Sequence, residues 1–271
     1  MRTMTRALGI VATPGARIAH AVSGASTLTV IGWHRVGDAP DGLTTSRSDF
    51  CGQLDVIEEW GGTVLPLLEA QRLLARGELP ERAVVLTFDD GYASVLEVAW
   101  PELKRRGMPG TLFAVSGYLC RDKTFPWDTG QDRHLTRLAT RQELCDVADD
   151  GFDIGSHTVT HRWLPGLSPD QVAEEVTRSR AQLEDLLGRE VLSFAYPMGG
   201  WTPSIRDQVE AAGYEVAITV DRGRNPVGHD PLALRRAFAF DRPEDVRRQL
   251  DGGFTWMRLR ERSRSRKPPR W

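Results

Sequence analysis

The chain has 271 residues, of which 40% are hydrophobic and 27% charged, with a formal net charge of -2. That apolar share sustains a full core without a disulfide framework or an obligate partner, and the near-neutral balance gives no electrostatic case for nucleic acid. Three scattered cysteines, Cys51, Cys120 and Cys145, form no C-x-x-C pair and read as small buried thiols in a reducing compartment.

Taken in chain order, residues 1–26 come first, with Arg2, Arg6 and Arg17 set among small apolar residues. Thr13, Pro14 and Gly15 interrupt any run of the ~7–15 apolar residues that a secretory signal needs. No stretch reaches the ~20 apolar residues of a membrane span, so the expected setting is cytoplasmic. Beyond this extension, short apolar runs alternate with amphipathic stretches, the pattern of a β/α fold. Strands are expected at 28–33, 83–88, 111–115, 152–155, 193–196, 215–219 and 232–240.

The intervening helices are expected at 48–60, 93–106, 141–149, 169–187, 202–212 and 242–250. Ser48 is the N-cap expected for the first, with Phe50, Leu54 and Ile57 on its inner side. Gly107, Gly151 and Gly188 stand where helices stop, and Ser168-Pro169 reads as a cap followed by a first-turn proline. Parallel strands joined by crossover helices either close into a barrel or stay open, and no G-x-G-x-x-G supports a dinucleotide fold. One domain, residues 27–257, is therefore expected between the extension and a basic tail, 258–271. The tail has Arg258, Arg260, Arg262, Arg264, Arg266, Lys267 and Arg270 against the single acid Glu261. It reads as a solvated end, with peripheral contact to anionic lipid or an acidic glycan as the alternative.

Two segments carry chemistry. In Val84-Val85-Leu86-Thr87-Phe88-Asp89-Asp90-Gly91-Tyr92 an apolar strand runs into two carboxylates. Active sites of α/β folds collect at the carboxyl ends of strands, yet an aspartate pair before glycine also makes an ordinary turn. Alone, the segment leaves the two readings level. In Phe152-Asp153-Ile154-Gly155-Ser156-His157-Thr158-Val159-Thr160-His161 another strand ends before two histidines four apart, the spacing of one face of a helical turn. Two imidazoles and one carboxylate make a three-ligand cation site with open positions, and with the aspartate pair the functional reading prevails.

These segments resemble the polysaccharide deacetylase family with a NodB homology domain, carbohydrate esterase family 4. Thr87-Phe88-Asp89-Asp90-Gly91-Tyr92 matches its first motif, Ser156-His157-Thr158-Val159-Thr160-His161 its second, and Phe194-Ala195-Tyr196-Pro197-Met198-Gly199 resembles its third. The resemblance runs from about residue 28 to residue 240. It implies a distorted seven-stranded (β/α) barrel, an N-acetylated glycan substrate, and a divalent metal, with zinc expected, held by Asp90, His157 and His161. Asp89 is then the general base, and the Met198 backbone N–H supports the oxyanion.

Such a site answers a chemical need, because amide carbonyls are poor electrophiles and water a poor nucleophile, and a divalent cation activates both. The departing amine also needs a proton. The family takes it from a late leucine-x-histidine motif that this chain lacks, and His229 reads as part of a polar loop. His34, in Ile31-Gly32-Trp33-His34-Arg35-Val36, resembles the Y-H-R-V entry of a branch acting on poly-N-acetylglucosamine-like exopolysaccharides. In that branch the barrel is circularly permuted and the acid histidine moves to the front. The alternative is that His34 only packs beside Trp33.

The family's third motif often opens with an arginine that orients the base, where this chain has Ala195. Arg235 or Arg236 is the expected replacement, with Arg236 preferred over a merely solvated basic pair. Among the aromatics, Tyr92, Trp163 and Trp201 are the expected sugar-stacking rings, Trp127 standing behind them. The loop 117–137 is long enough to shape a groove. Two rival functions remain open: hydrolysis of a non-sugar amide or imide, and glycan binding without catalysis. Retention of Asp89 beside the three ligands speaks against the second. Oligomeric state is not legible in the sequence.

Overall fold

In the computed structural model, residues 27–38, 41–120, 122–239 and 242–253 are described. The expected extension 1–26 and basic tail 258–271 lie outside them, as does the end of the expected strand 232–240. Seven strands form the frame: β1 (Thr27–Trp33), β2 (Ala83–Phe88), β3 (Thr111–Ala114), β4 (Asp153–Ser156), β5 (Ser193–Ala195), β6 (Val216–Ile218) and β7 (Ala237–Phe238). β1 to β6 follow one another in parallel register, Trp33 beside Phe88, Phe88 beside Leu112, Ala114 beside Ser156, Ser156 beside Phe194 and Ala195 beside Ile218.

The curl is closed by a broken segment rather than by the continuous last strand expected. Residues 231–233 make a 3-10 turn. Leu234 then donates to the Ala217 carbonyl and accepts from the Thr219 N–H, and Ala237 and Phe238 pair with Ile31 and Gly32 of β1. One short stretch thus hydrogen-bonds to both edges of the sheet, giving a distorted β/α barrel. The break has local causes: the Asp230 carboxylate caps the 3-10 turn by accepting from the Leu232 N–H, and the Arg235 and Arg236 N–H groups go to Asn225 Oδ1 and the Asp221 carbonyl instead of a strand. Asn225–Pro226 adds an antiparallel pair to the start of β1, and Thr63–Val64 a parallel pair to the start of β2.

The core divides into two layers, as the period-2 alternation of strands requires. Ile31, Trp33, Leu86, Phe88, Leu112 and Ile154 face the helices, while Leu28, Val30, Val85, Phe113, Ala195, Ile218 and Leu234 form the inner layer. Helix α1 (Arg47–Glu59) buries Phe50, Leu54 and Ile57 as expected, but its cap is Ser46, not Ser48: the Ser46 hydroxyl accepts from the Asp49 N–H. Helix α2 (Leu67–Arg76) was not expected. It sets Leu67, Ala70 and Leu74 against the inner layer where β1 and β2 begin, and stops at left-handed Gly77.

The expected helix 93–106 is a π turn over Val95–Ala99 running into α3 (Trp100–Arg105), where Pro101 withholds a donor. Helices α4 (Arg141–Asp149) and α5 (Pro169–Leu187) lie where expected, each with a capping box, Thr140 with Glu143 and Ser168 with Gln171. α6 (Pro203–Ala211) and α7 (Pro243–Leu250) complete the ring. Cys51, Cys120 and Cys145 are free and half-buried rather than buried. Among the described residues no helix is long and apolar enough to cross a membrane.

Candidate metal centre and its paired base

β2 delivers both aspartates to the carboxyl-terminal rim. The Asp89 N–H still donates to the Trp33 carbonyl at 3.0 Å, extending the strand pairing by one residue. Asp90 then turns left-handed at φ 74° and Gly91 follows at φ 82°. Only glycine takes that second step without strain. The reversal sends the two carboxylates to different neighbours, as expected.

Asp89 meets Arg236. The guanidinium donates to both carboxylate oxygens, at 2.7 and 2.6 Å, and to the Thr87 hydroxyl at 3.2 Å. Thr87 in turn donates to the Ile31 carbonyl at 2.9 Å. Arg236 is wholly buried, its guanidinium 4.6 Å from the Phe238 ring centre. Gly32 leaves the room for this: a Cβ there would stand 3.0 Å from both Arg236 Cδ and Phe238 Cε1. Burial opposes ionisation of Asp89, but the Arg236 charge outweighs it, with help from His157, and holds the carboxyl below its ordinary range. Arg235, the alternative, turns away; its backbone N–H donates to Asn225 and its guanidinium to the Arg224 carbonyl.

The histidines converge, but not on a helical turn. After β4 the chain is an irregular loop in which Thr158 (φ 67°) and His161 (φ 57°) are left-handed. That correction has a physical source: the helical spacing fixes only which residues could meet, and two left-handed steps bring the same residues together. The His161 N–H donates to the Thr158 hydroxyl at 3.0 Å, and Ser116 and Gly117 donate to the Thr158 and Val159 carbonyls.

His157 Nε2 lies 3.6 Å and His161 Nε2 3.3 Å from Asp90 Oδ1, and the three ligand atoms fall within 4.8 Å of one another. His157 Nδ1 is 2.7 Å from the Ala195 carbonyl, which fixes that proton and leaves Nε2 as the free lone pair. Burial pushes the His157 pKa down to about 4, so the ring is neutral at pH 7 and in its ligating form. Asp90 is also held below its ordinary range: burial opposes this, and His161 together with the other histidines outweighs it. Yet Asp90 Oδ1 is buried without a hydrogen-bond partner, as is His161 Nδ1. A buried carboxylate oxygen left unpaired is costly unless a cation completes it. The donor set, one carboxylate and two imidazoles, therefore fits a divalent metal with open positions.

His34 directly follows β1, half-buried and stacked on Phe238 at 4.7 Å, within the field of both aspartates. Burial lowers its pKa, and the two aspartates oppose that shift. His229 stands apart in a surface loop, its Nε2 3.0 Å from the Ala233 carbonyl. Met198 sits in the turn after β5 with φ 55°, a conformation disfavoured for its side chain.

The aromatic expectations need correction. Tyr92 is fully buried, so it cannot stack on a sugar. Its hydroxyl donates to Asp128 Oδ2 at 2.7 Å, and the Arg35 guanidinium, itself bonded to Asp128 Oδ1 at 2.9 Å, lies 4.8 Å from its ring centre. Trp163 and Trp201 are half-buried. Trp163 crosses Gly200, where a Cβ would stand 2.5 Å from its ring, and Trp201 leans on Tyr196. The ring nearest the ligands is Trp127, 4.9 Å from His161 and donating its indole N–H to the Tyr92 hydroxyl at 3.1 Å. Its neighbour Asp128 gave no signal, because a buried carboxylate in a loop looks like any loop aspartate until its partners are known.

The family model for polysaccharide deacetylases matches residues 76–217, over half of the chain. The chain belongs to the polysaccharide deacetylase family. It is thus an enzyme of the carbohydrate deacetylase class. YxkH from Bacillus subtilis, which carries the polysaccharide deacetylase name, is 26% identical over 77% of this chain and 70% of its own length. The poly-β-1,6-N-acetyl-D-glucosamine N-deacetylase of Staphylococcus aureus is 21% identical over 77% of this chain and 72% of its own. The structure of IcaB from Ammonifex degensii superposes with a TM-score of 0.73 at 28% identity, covering 85% of this chain and 97% of that one. The matched stretch of the family model excludes both His34 and Arg236.

Proposed function

We propose that this deacetylase is a metal-dependent hydrolase that removes N-acetyl groups from an N-acetylglucosamine-type glycan, with zinc as the metal. The observation that carries this reading is the pairing of opposites at one strand end. Asp90 Oδ1 is buried and unpartnered between two imidazoles, while adjacent Asp89 is fully paired. Asp90, His157 and His161 would hold the cation, which supplies Lewis acidity toward the acetyl carbonyl and toward water.

The chain's own groups do the rest. Asp89, ionised and oriented by Arg236, accepts the proton of the attacking water. The Met198 N–H, in the left-handed turn after β5, is assigned to the acetyl oxygen as that atom gains charge. His34 gives a proton to the departing amine nitrogen from its imidazolium form, which Asp90 and Asp89 favour against burial. The half-buried indoles of Trp127, Trp163 and Trp201 supply flat apolar surface for sugar faces. The substrate class is supported by the relatives named for poly-β-1,6-N-acetylglucosamine.

The test is acetate release from short β-1,6-linked N-acetylglucosamine oligomers by zinc-loaded protein. Release is expected to stop on chelation and in Asp89→Asn. Zinc-loaded protein that releases no acetate from these oligomers, yet opens small cyclic amides, would replace this reading with the amide one.

A further inference from the structure

The loop that carries both histidines is gripped from behind by one side chain. Glu175, on α5, is buried, and all of its hydrogen bonds go to that loop. Its Oε2 accepts from the Val159 and Thr160 backbone N–H groups, each at 2.9 Å, and its Oε1 accepts from the Thr160 hydroxyl. Among the described residues no lysine or arginine pairs with it, so the loop's own donors balance a carboxylate that burial makes expensive. Those donors belong to the two residues between left-handed Thr158 and left-handed His161. A loop with two strained steps keeps its shape only where neighbours over-determine it.

We infer that Glu175 is a positioning residue for the cation site: it holds Val159 and Thr160 so that His157 and His161 face Asp90 together. The inference rests on reading Asp90, His157 and His161 as the cation site. It separates Glu175 from its neighbour Glu174, which is exposed and, among the described residues, paired along the helix with Arg178. It also assigns the site's metal affinity partly to a helix that contributes no ligand. Outer groups that orient metal ligands change affinity by roughly 10- to 100-fold when removed.

The experiment is a Zn²⁺ competition titration against a chromophoric chelator, with the metal-induced rise in Tm measured in parallel. Wild-type protein that binds no Zn²⁺ ends the cation-site reading itself, whereas the inference about Glu175 is decided by its variants. Glu175→Ala is expected to weaken Zn²⁺ binding about 10- to 100-fold and to shrink the metal-induced Tm rise. Glu174→Ala should leave both at wild-type values. Glu175→Gln, whose amide oxygen still accepts from both N–H groups and whose amide nitrogen donates to Thr160, should stay within about threefold of wild type. Glu175→Asp keeps the charge but is one methylene short, and is expected to lose affinity; if the alanine variant does not fold, the Asp and Gln variants decide. Wild-type Zn²⁺ affinity in Glu175→Ala or Glu175→Asp overturns the inference, and so does a Gln variant as weak as the alanine one.

Discussion

Asp89 and Asp90 are adjacent in the chain, equally buried, and opposite in circumstance. Asp89 receives two guanidinium hydrogen bonds and lies against a full positive charge. Asp90 is surrounded by imidazoles, one of them neutral, and keeps a bare oxygen. A protein that only needed to bury two carboxylates would pair both. The asymmetry supports the proposed reading, in which the fold supplies one countercharge itself and leaves the other to a cation, dividing a base from a ligand at one strand end.

The strongest way to break this contrast is to remove each partner in turn. Asp90→Ala or His161→Ala should abolish both Zn²⁺ binding and deacetylation, whereas Asp89→Asn should keep metal content and lower turnover by about 10²- to 10⁴-fold. Metal analysis of the purified variants beside acetate release checks the split. If Asp89→Asn also empties the site of metal, the two aspartates do not have separate roles.

Arg236 gives the next effect. Arg236→Met leaves Asp89 charged and unpaired in the barrel, and denaturant unfolding should show a loss of about 3–5 kcal/mol. Arg235→Met, one residue away, gives up a hydrogen bond to a half-buried backbone carbonyl and should cost about 1 kcal/mol. Equal losses would mean that the guanidinium beside Asp89 is not what the barrel depends on. His34→Ala sharpens the contrast from the acid side: turnover should fall about 10²- to 10⁴-fold with metal content unchanged. If metal loss accounts for the drop, His34 belongs with the ligands.

The parts of this site that were legible in the sequence are those whose geometry is local. Asp89 and Asp90 are one strand end, and His157 and His161 one loop, so short motifs carry them. Arg236 is 147 residues from Asp89 and was narrowed to two candidates only by asking what could replace the guanidinium missing at Ala195. Strand alternation then decides between Arg235 and Arg236, and the broken β7 hid that alternation. Helix α2 was missed although Leu67, Ala70 and Leu74 have helical spacing and Gly77 stands at its end, because the strand before it, Thr63–Val64, is too short to mark a β/α alternation there. Tyr92 misled for a different reason: its place after the aspartates suggested exposure, and only the Arg35–Asp128 pair shows why it is buried. Among the described residues, five non-glycine residues have left-handed φ, and three of them, Asp90, Thr158 and His161, belong to the aspartate turn and the histidine loop, with Met198 in the turn after β5. Backbone strain of that kind has no signature in residue type, so sequence could name these positions but not their conformation.

The smallest effect calibrates the rest. Glu143 is a paired carboxylate at the N-terminus of α4, outside the metal cluster, accepting from both the Thr140 N–H and hydroxyl and from Arg137 at 2.8 to 3.0 Å. Burial opposes its ionisation, but Arg137 and the Thr140 N–H outweigh it and push its pKa down to about 2 from an ordinary 4.5. Because the folded chain holds this proton less tightly than the unfolded one, the stabilisation is fully present above pH 4.5. It is lost as pH falls toward about 2. With 28% of the side chain exposed, solvent screens much of the ion pair, leaving about 0.5 kcal/mol to the charge. Glu143→Gln keeps a box-closing side chain, as Gln171 does on α5, and removes only the charge facing Arg137, so it should lower unfolding stability by about 0.5 kcal/mol at pH 7, and its gap to wild type should narrow steadily below pH 4.5. A gap that ignores pH would show that shape rather than charge holds this cap. The much larger loss expected for Arg236→Met would then have to be sought in packing around Phe238 rather than in the charge of Asp89.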